Sequence, residues 1–186
     1  MKISFREVEI HDAKMLLDWR TSPRVTQYMI TDVPYDIDAQ KKWIMNSYIR
    51  KDYYHWIILC NDTPIGCIYV QNFDLENART SWGFYKGSTE FSGIGSKILS
   101  YFYNFLFFKL GIKNIFTEVF YNNVNVIELY LHYGHKFIPD KCRVIYKNER
   151  EILLIALSLS LQGWNKEKYK NSIAQFPTDN WKCSPI

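Results

Sequence analysis

The chain has 186 residues, 47% of them hydrophobic, with 23 Lys and Arg against 19 Asp and Glu for a formal charge of +4. That length suits one domain with a real core, and the apolar content excludes an intrinsically disordered protein. The weak charge, with no Lys/Arg run longer than two, gives no footing for nucleic-acid binding.

Ile3 to Val8 alternates as a first strand. Asp12 is placed to cap a helix running to about Arg20 with Met15, Leu16, Leu17 and Trp19 on its apolar side, and Pro23 ends it. After the Val33-Pro34-Tyr35 loop, Asp36 or Asp38 caps a second helix reaching about Ile49. Tyr54 to Cys60 and Ile65 to Asn72 read as strands joined by the turn Asn61-Asp62-Thr63-Pro64, and Thr80 to Tyr85 as the next strand. A loop from Lys86 to Ser92 leads to a helix from Gly93 to Leu110, stopped by Gly111. Asn114 to Phe120 is a strand, Val124 to Tyr133 a helix stopped by Gly134, and His135–Tyr146 and Glu151–Leu159 two closing strands. The order is β α α β β β α β α β β. Residues 1–161 form the expected domain, and 162–186 an appended tail, docked or flexible.

Cys60, Cys67, Cys142 and Cys183 show no metal-ligand spacing and no clustering with His. They predict a reduced, cytoplasmic protein with no metal. The N-terminus has no hydrophobic signal core, and the helix from Ser96 to Leu110 is too short to span a bilayer, so no membrane insertion is expected. The aromatic share of 17% fits a ring-lined cleft or a compositional habit equally.

Chemistry concentrates around residues 84–96. There a strand ends in a polar loop, and Gly93-Ile94-Gly95 opens an apolar helix. The N–H groups of a helix start lack intrahelical acceptors, and glycines admit a ligand close to the backbone, so this geometry suits a pyrophosphate. One strand later, Asn123, Ile127 and Tyr130 share a helical face, with Asn123 and Tyr130 about 10 Å apart along the axis.

The run Glu90-Phe91-Ser92-Gly93-Ile94-Gly95 and the run Asn123 to Tyr130 followed by Gly134 resemble the two motifs of the GCN5-related N-acetyltransferase (GNAT) superfamily. Glu90 departs from the family's Gln/Arg, and His135 from its Phe. The resemblance spans residues 3–159. It implies an α/β (α+β) fold with a mixed, mostly antiparallel twisted sheet of about seven strands flanked by about four helices. It implies acetyl-CoA as cosubstrate, held by Phe84, Tyr85, Lys86, Phe91, Ser92, Gly93, Ile94, Gly95, Ser96, Asn123 and Ile127. Tyr130 would protonate the departing thiolate as general acid. Glu118, flanked by Phe116, Val119 and Phe120, is the candidate base, its pKa raised by an apolar setting. The other reading of Glu118 is a carboxylate paired with a nearby Arg or Lys.

Asp18 to Val25 with Tyr28-Met29 resembles a segment shared by Rim-type N-terminal acetyltransferases and the sugar-nucleotide N-acetyltransferases of pseudaminic acid biosynthesis. The sugar group is the nearer, through Phe84-Tyr85 and Glu118 to Asn123. The implied acceptor is the amine of a UDP-linked 4-amino-4,6-dideoxy sugar, in a glycan-building role. Arg20 offers a planar fork for phosphate or carboxylate; its other reading is a cation at a helix C-terminus. Tyr28, Met29, Tyr35 and Tyr85 supply surface for a uracil or deoxysugar ring, although packing alone also accounts for Trp19, Tyr28 and Met29. The alternatives are a peptide N-terminus as acceptor, and a non-catalytic CoA-binding module. A homodimer is left open.

Overall fold

A computed structural model describes residues 1–91 and 93–186; Ser92, expected in the pyrophosphate cradle, lies outside the described residues. The strands are β1 (Ile3–Glu7), β2 (Tyr53–Cys60), β3 (Thr63–Asp74), β4 (Arg79–Lys86), β5 (Asn114–Phe120), β6 (Lys136–Phe137), β7 (Arg143–Lys147) and β8 (Arg150–Ser160). The helices are α1 (Ala13–Thr21), α2 (Pro23–Thr26), α3 (Ile37–Ser47), α4 (Gly95–Phe108) and α5 (Val124–His132). Where one strand was expected from His135 to Tyr146 there are two short ones. Pro139 lacks an N–H for the ladder, and a 3-10 turn over Pro139–Lys141 interrupts the pairing.

The sheet runs β1-β2-β3-β4-β5-β8-β6, with β7 also paired to β8. Neighbours are antiparallel except β4 and β5, which are parallel and meet only at Arg79–Asn114, Thr80–Ile115 and Ser81–Phe116. Beyond Ser81, β4 continues to Lys86 on β3 alone, while β5 continues to Phe120 on β8 alone. The sheet therefore splits there into two arms. The lips, Trp82–Lys86 and Thr117–Phe120, face each other without pairing.

Strand alternation divides the core. On one face, α1 and α3 bury Leu16 and Ile44 against Ile57 and Cys67. On the other, α4 sets Ile98, Phe102 and Leu106 against Trp56, Ile68 and Trp82. Asp36 proves to be the cap of α3, its carboxylate accepting from Ala39 N at 2.9 Å. Asp12 precedes α1 but does not cap it. Its 3%-exposed carboxylate instead takes both Arg6 nitrogens at 2.6 and 2.7 Å and the Glu9 amide at 2.9 Å. Those bonds outweigh the desolvation of the buried group and hold its pKa below the ordinary value.

The tail is docked. Phe176 stacks on Phe5 and Phe105 at 4.0 and 4.3 Å, and Trp181 lies flat on Tyr54 at 4.9 Å. Trp181 Nε1 donates to Arg50 O and Trp56 Nε1 to Pro177 O, at 2.8 and 2.7 Å. Among the described residues, no helix is long and apolar enough to cross a membrane.

Candidate active site

The split between β4 and β5 opens a cleft of about 1220 Å³ that runs through the sheet. Its walls differ by side because residues on a strand alternate. Trp82 and Phe84 turn toward α4, stacked 6.3 Å apart. Gly83 and Tyr85 share the opposite face with Tyr69, Cys67, Tyr53 and His55. Gly83 is there because the Tyr69 hydroxyl would lie 2.4 Å from any Cβ. Past the end of β4, Trp19 covers Gly87, where a Cβ would meet the indole at 2.0 Å.

Tyr130 reaches the cleft from α5 and is 4% exposed. Its ring lies 5.1 Å from Trp82 and stacks on His135 at 5.3 Å. Burial, aided by neighbouring Tyr69, raises its pKa above the ordinary phenol value, so it keeps its proton at neutral pH. His135, where the resemblance implied a Phe, is 3% exposed. Burial pushes its pKa down to about 4, leaving a neutral ring whose Nδ1 meets Tyr130 O at 3.1 Å. Trp82 Nε1 is buried with no acceptor among the described residues.

On α5, Asn123 occupies the N-cap and lines the cleft with Val126 and Tyr130. Ile127, expected on that face, packs on the core instead. At about 100° per residue, position 126 lies about 40° from 130, and 127 about 60° away on the other side.

Glu118 is not in the desolvated setting expected of a raised carboxyl. It is exposed and gripped by Arg143, Oε1 to Nε at 2.7 Å and Oε2 to Nη2 at 2.8 Å. The partner comes from β7, which pairs with the edge of β8 opposite β5, so Arg143 reaches across β8 to Glu118. Val119 turns to the opposite face, into the core, and Phe120, on the Glu118 face, is itself buried without shielding the exposed carboxylate.

The expected pyrophosphate cradle sits where β4 gives way to α4. The helix begins at Gly95, two residues later than expected, because Gly93 takes φ +74° and turns the chain first. Phe91 is also left-handed, at φ +55°. Lys97 N already donates to Ile94 O at 2.9 Å, and Ser96 Oγ donates to Gly93 O at 3.2 Å. Ile94 anchors the turn, 2% exposed and packed in the core. Lys86 Nζ donates to Phe91 O at 3.0 Å and Arg24 donates to Gly87 O, so two cations hold the loop from both ends. Desolvation, with repulsion from Arg24, lowers the Lys86 pKa. Glu90 is exposed.

Arg20, Arg24, Tyr28, Met29 and Tyr85 line the cleft on the α1 side. Tyr35 does not; its hydroxyl donates to Asp18 at 2.6 Å on the surface. Arg20 Nη2 donates to Thr31 O at 2.5 Å, while its Nη1 is buried with no acceptor among the described residues. Burial raises the Tyr69 phenol to about 12 and the Tyr85 phenol well above its ordinary value, and the Arg20 charge partly offsets both. His55, pushed down to about 3 by burial, is neutral and touches Ser47 Oγ at 3.2 Å.

Tyr53, Tyr69, Trp82 and Val126 are site residues that sequence reasoning missed. The alternation of Cys67, Tyr69 and Gln71 was visible, but which face of β3 meets a cleft depends on the β4–β5 split.

The sequence profile described as "Acetyltransferase (GNAT) domain" matches residues 2–136. A search of curated protein sequences finds no match. Among solved structures, spermidine N-acetyltransferase from Vibrio cholerae, in complex with CoA and spermine, superposes with TM-score 0.80 at 12% identity, over 87% of this chain and 96% of that one. The dodecameric form of spermidine N-acetyltransferase from the same organism gives 0.71 at 12%, over 85% and 93%. A "Probable acetyltransferase" gives 0.72 at 19%, over 87% and 94%. With the split sheet, the glycine turn before α4 and the profile match over most of its length, the chain belongs to the GNAT acetyltransferase family, N-acetyltransferases whose cosubstrate is acetyl-CoA.

Proposed function

We propose that the chain transfers acetyl from acetyl-CoA to the amine of a nucleotide-linked sugar of the UDP-4-amino-4,6-dideoxy type. The pyrophosphate would lie on the backbone amides around Gly93, Gly95 and Ser96, and the pantetheine arm between the unpaired lips of β4 and β5, beside Asn123. That path brings the thioester to Tyr130. The protonated phenol then donates to the departing thiolate, while free backbone N–H groups near Tyr85 and Gly87 polarise the carbonyl. Amine and thioester held in line supply much of the rate by proximity. Glu118, paired with Arg143, serves better as part of the acceptor wall than as a desolvated base.

The observation that carries the acceptor reading is the charge pattern of the cleft. Each lining carboxylate already holds an arginine: Asp52 with Arg50, Asp74 with Arg79 and Glu118 with Arg143. Asp32, near enough to feel the Arg20 charge, is held by Lys147 and Thr26. Arg20 has a donor to spare, beside the aromatic faces of Tyr69 and Tyr85. A polyamine would need free carboxylates, whereas a phosphate next to a uracil or deoxysugar ring needs a free guanidinium and flat apolar surface.

Thiol release from acetyl-CoA, followed with a UDP-4-amino-4,6-dideoxy sugar, spermidine and short peptides side by side, tests this reading. Turnover is expected with the sugar nucleotide. A preference for spermidine or for a peptide amine would overturn the acceptor assignment and leave the family intact.

A further inference from the structure

Lys147 ends β7, at the tip of the β7–β8 hairpin, yet it is only 8% exposed. An ammonium has three donors, and here each finds an oxygen. Nζ meets Thr26 O at 2.8 Å, Met29 O at 2.6 Å and Asp32 Oδ1 at 2.8 Å. All three acceptors belong to one short segment, residues 26–32, running from the last residue of α2 on the far side of the split. The hairpin belongs to the β5–β8 arm, and the loop is carried by α1 and α2 over the β1–β4 arm. One side chain thus bridges the two arms across the mouth of the cleft.

The tie bears on the acceptor. The loop holds Tyr28 and Met29 against the cleft, and its Thr31 takes Arg20 Nη2 through both its carbonyl at 2.5 Å and its hydroxyl at 3.2 Å. Thr26 Oγ1 also donates to Asp32 at 2.7 Å, so the loop closes on itself around the ammonium. We infer that Lys147 is a positioning residue for the acceptor: it latches the 26–32 loop over the cleft and, through Thr31, fixes the Arg20 guanidinium that receives the acceptor's anionic group. The acetyl-CoA path, along the lips and the start of α4, touches none of these bonds. The latch therefore separates acceptor affinity from donor affinity. Its kinetic consequence rests on the acceptor reading proposed above; the latch itself does not.

Two variants test it. Lys147→Met keeps the length and apolar stem of the side chain but removes all three hydrogen bonds. Asp32→Asn changes only the exposed end of the tie, a change that leaves the fold intact. Hydrogen–deuterium exchange on the full chain is expected to quicken over residues 26–32 by about tenfold or more in Lys147→Met and less in Asp32→Asn, as for loss of charge-assisted bonds. Exchange in α4 and β5 should not change. In turnover of the UDP-4-amino-4,6-dideoxy sugar, Lys147→Met is expected to raise the acceptor KM by about tenfold with the acetyl-CoA KM within about twofold. Lys147→Arg, which keeps the charge and donors, should recover part of it. Unchanged exchange over residues 26–32 in both variants would refute the latch. Equal weakening of donor and acceptor would reduce it to a general structural tie. Should wild type not turn the sugar over, the acceptor reading fails, and the exchange result still decides the latch.

Discussion

Tyr130→Phe removes one oxygen from a ring that stays packed between Trp82 and His135, at 5.1 and 5.3 Å. The side chain is 4% exposed and no hydrogen bond to its hydroxyl is made among the described residues. Folding stability should therefore change by less than about 1 kcal/mol. Catalysis should respond very differently. If the phenol protonates the thiolate, its loss costs about 10²- to 10³-fold in kcat, or about 3–4 kcal/mol of barrier. The dissociation constant of acetyl-CoA, measured by calorimetry, should stay within about twofold, because binding energy resides in the pyrophosphate and pantetheine contacts. Burial raises the phenol's pKa, so the acid form persists through and beyond pH 10 in the wild type. No alkaline fall in kcat below that pH should trace to this residue. A kcat unchanged in Tyr130→Phe, or a fall matched by lost acetyl-CoA affinity, would refute the assigned role.

Other expectations follow from single contacts. Arg20→Met should raise the acceptor KM by about 10- to 100-fold with little change for acetyl-CoA, as measured by steady-state kinetics on the sugar nucleotide. Asp12→Asn should lower stability by about 2–3 kcal/mol in urea titration, below the fully buried range because Arg6 is 29% exposed. The folded-state pKa of Asp12 is depressed, so its contribution is present above the ordinary carboxylate value and lost as pH falls through the folded one. The acid limb of the stability curve should accordingly flatten in the variant. Trp181→Ala should cost about 3–5 kcal/mol, since the indole is 2% exposed and flat on Tyr54. A smaller loss, near zero, would show the tail to be dispensable for the fold.

The elements that carry the donor site were legible because local signals set them. Gly93, Gly111 and Gly134, each at positive φ, mark helix ends, and the apolar periodicity between them fills in α4 and α5. The cleft was not legible in the same way. It exists because β4 and β5 pair over three residues and then part, and that long-range event leaves no periodic trace. Tyr69 was missed for this reason, although its alternation was plain. Glu118 shows the complementary limit: its strand was legible, but its partner Arg143 lies 25 residues further along and arrives only through the β7–β8 register. Lys147 sits in what reads as a hairpin turn, and nothing local says that its ammonium spans the cleft to Met29.

A crystal structure with acetyl-CoA tests the central claim most directly. The thioester sulfur is expected within about 3.5 Å of Tyr130 Oη, with the pyrophosphate on the amides of residues 93–96 and the pantetheine between β4 and β5. A sulfur on the far side of β4 from Tyr130, or a pyrophosphate away from the start of α4, would contradict it.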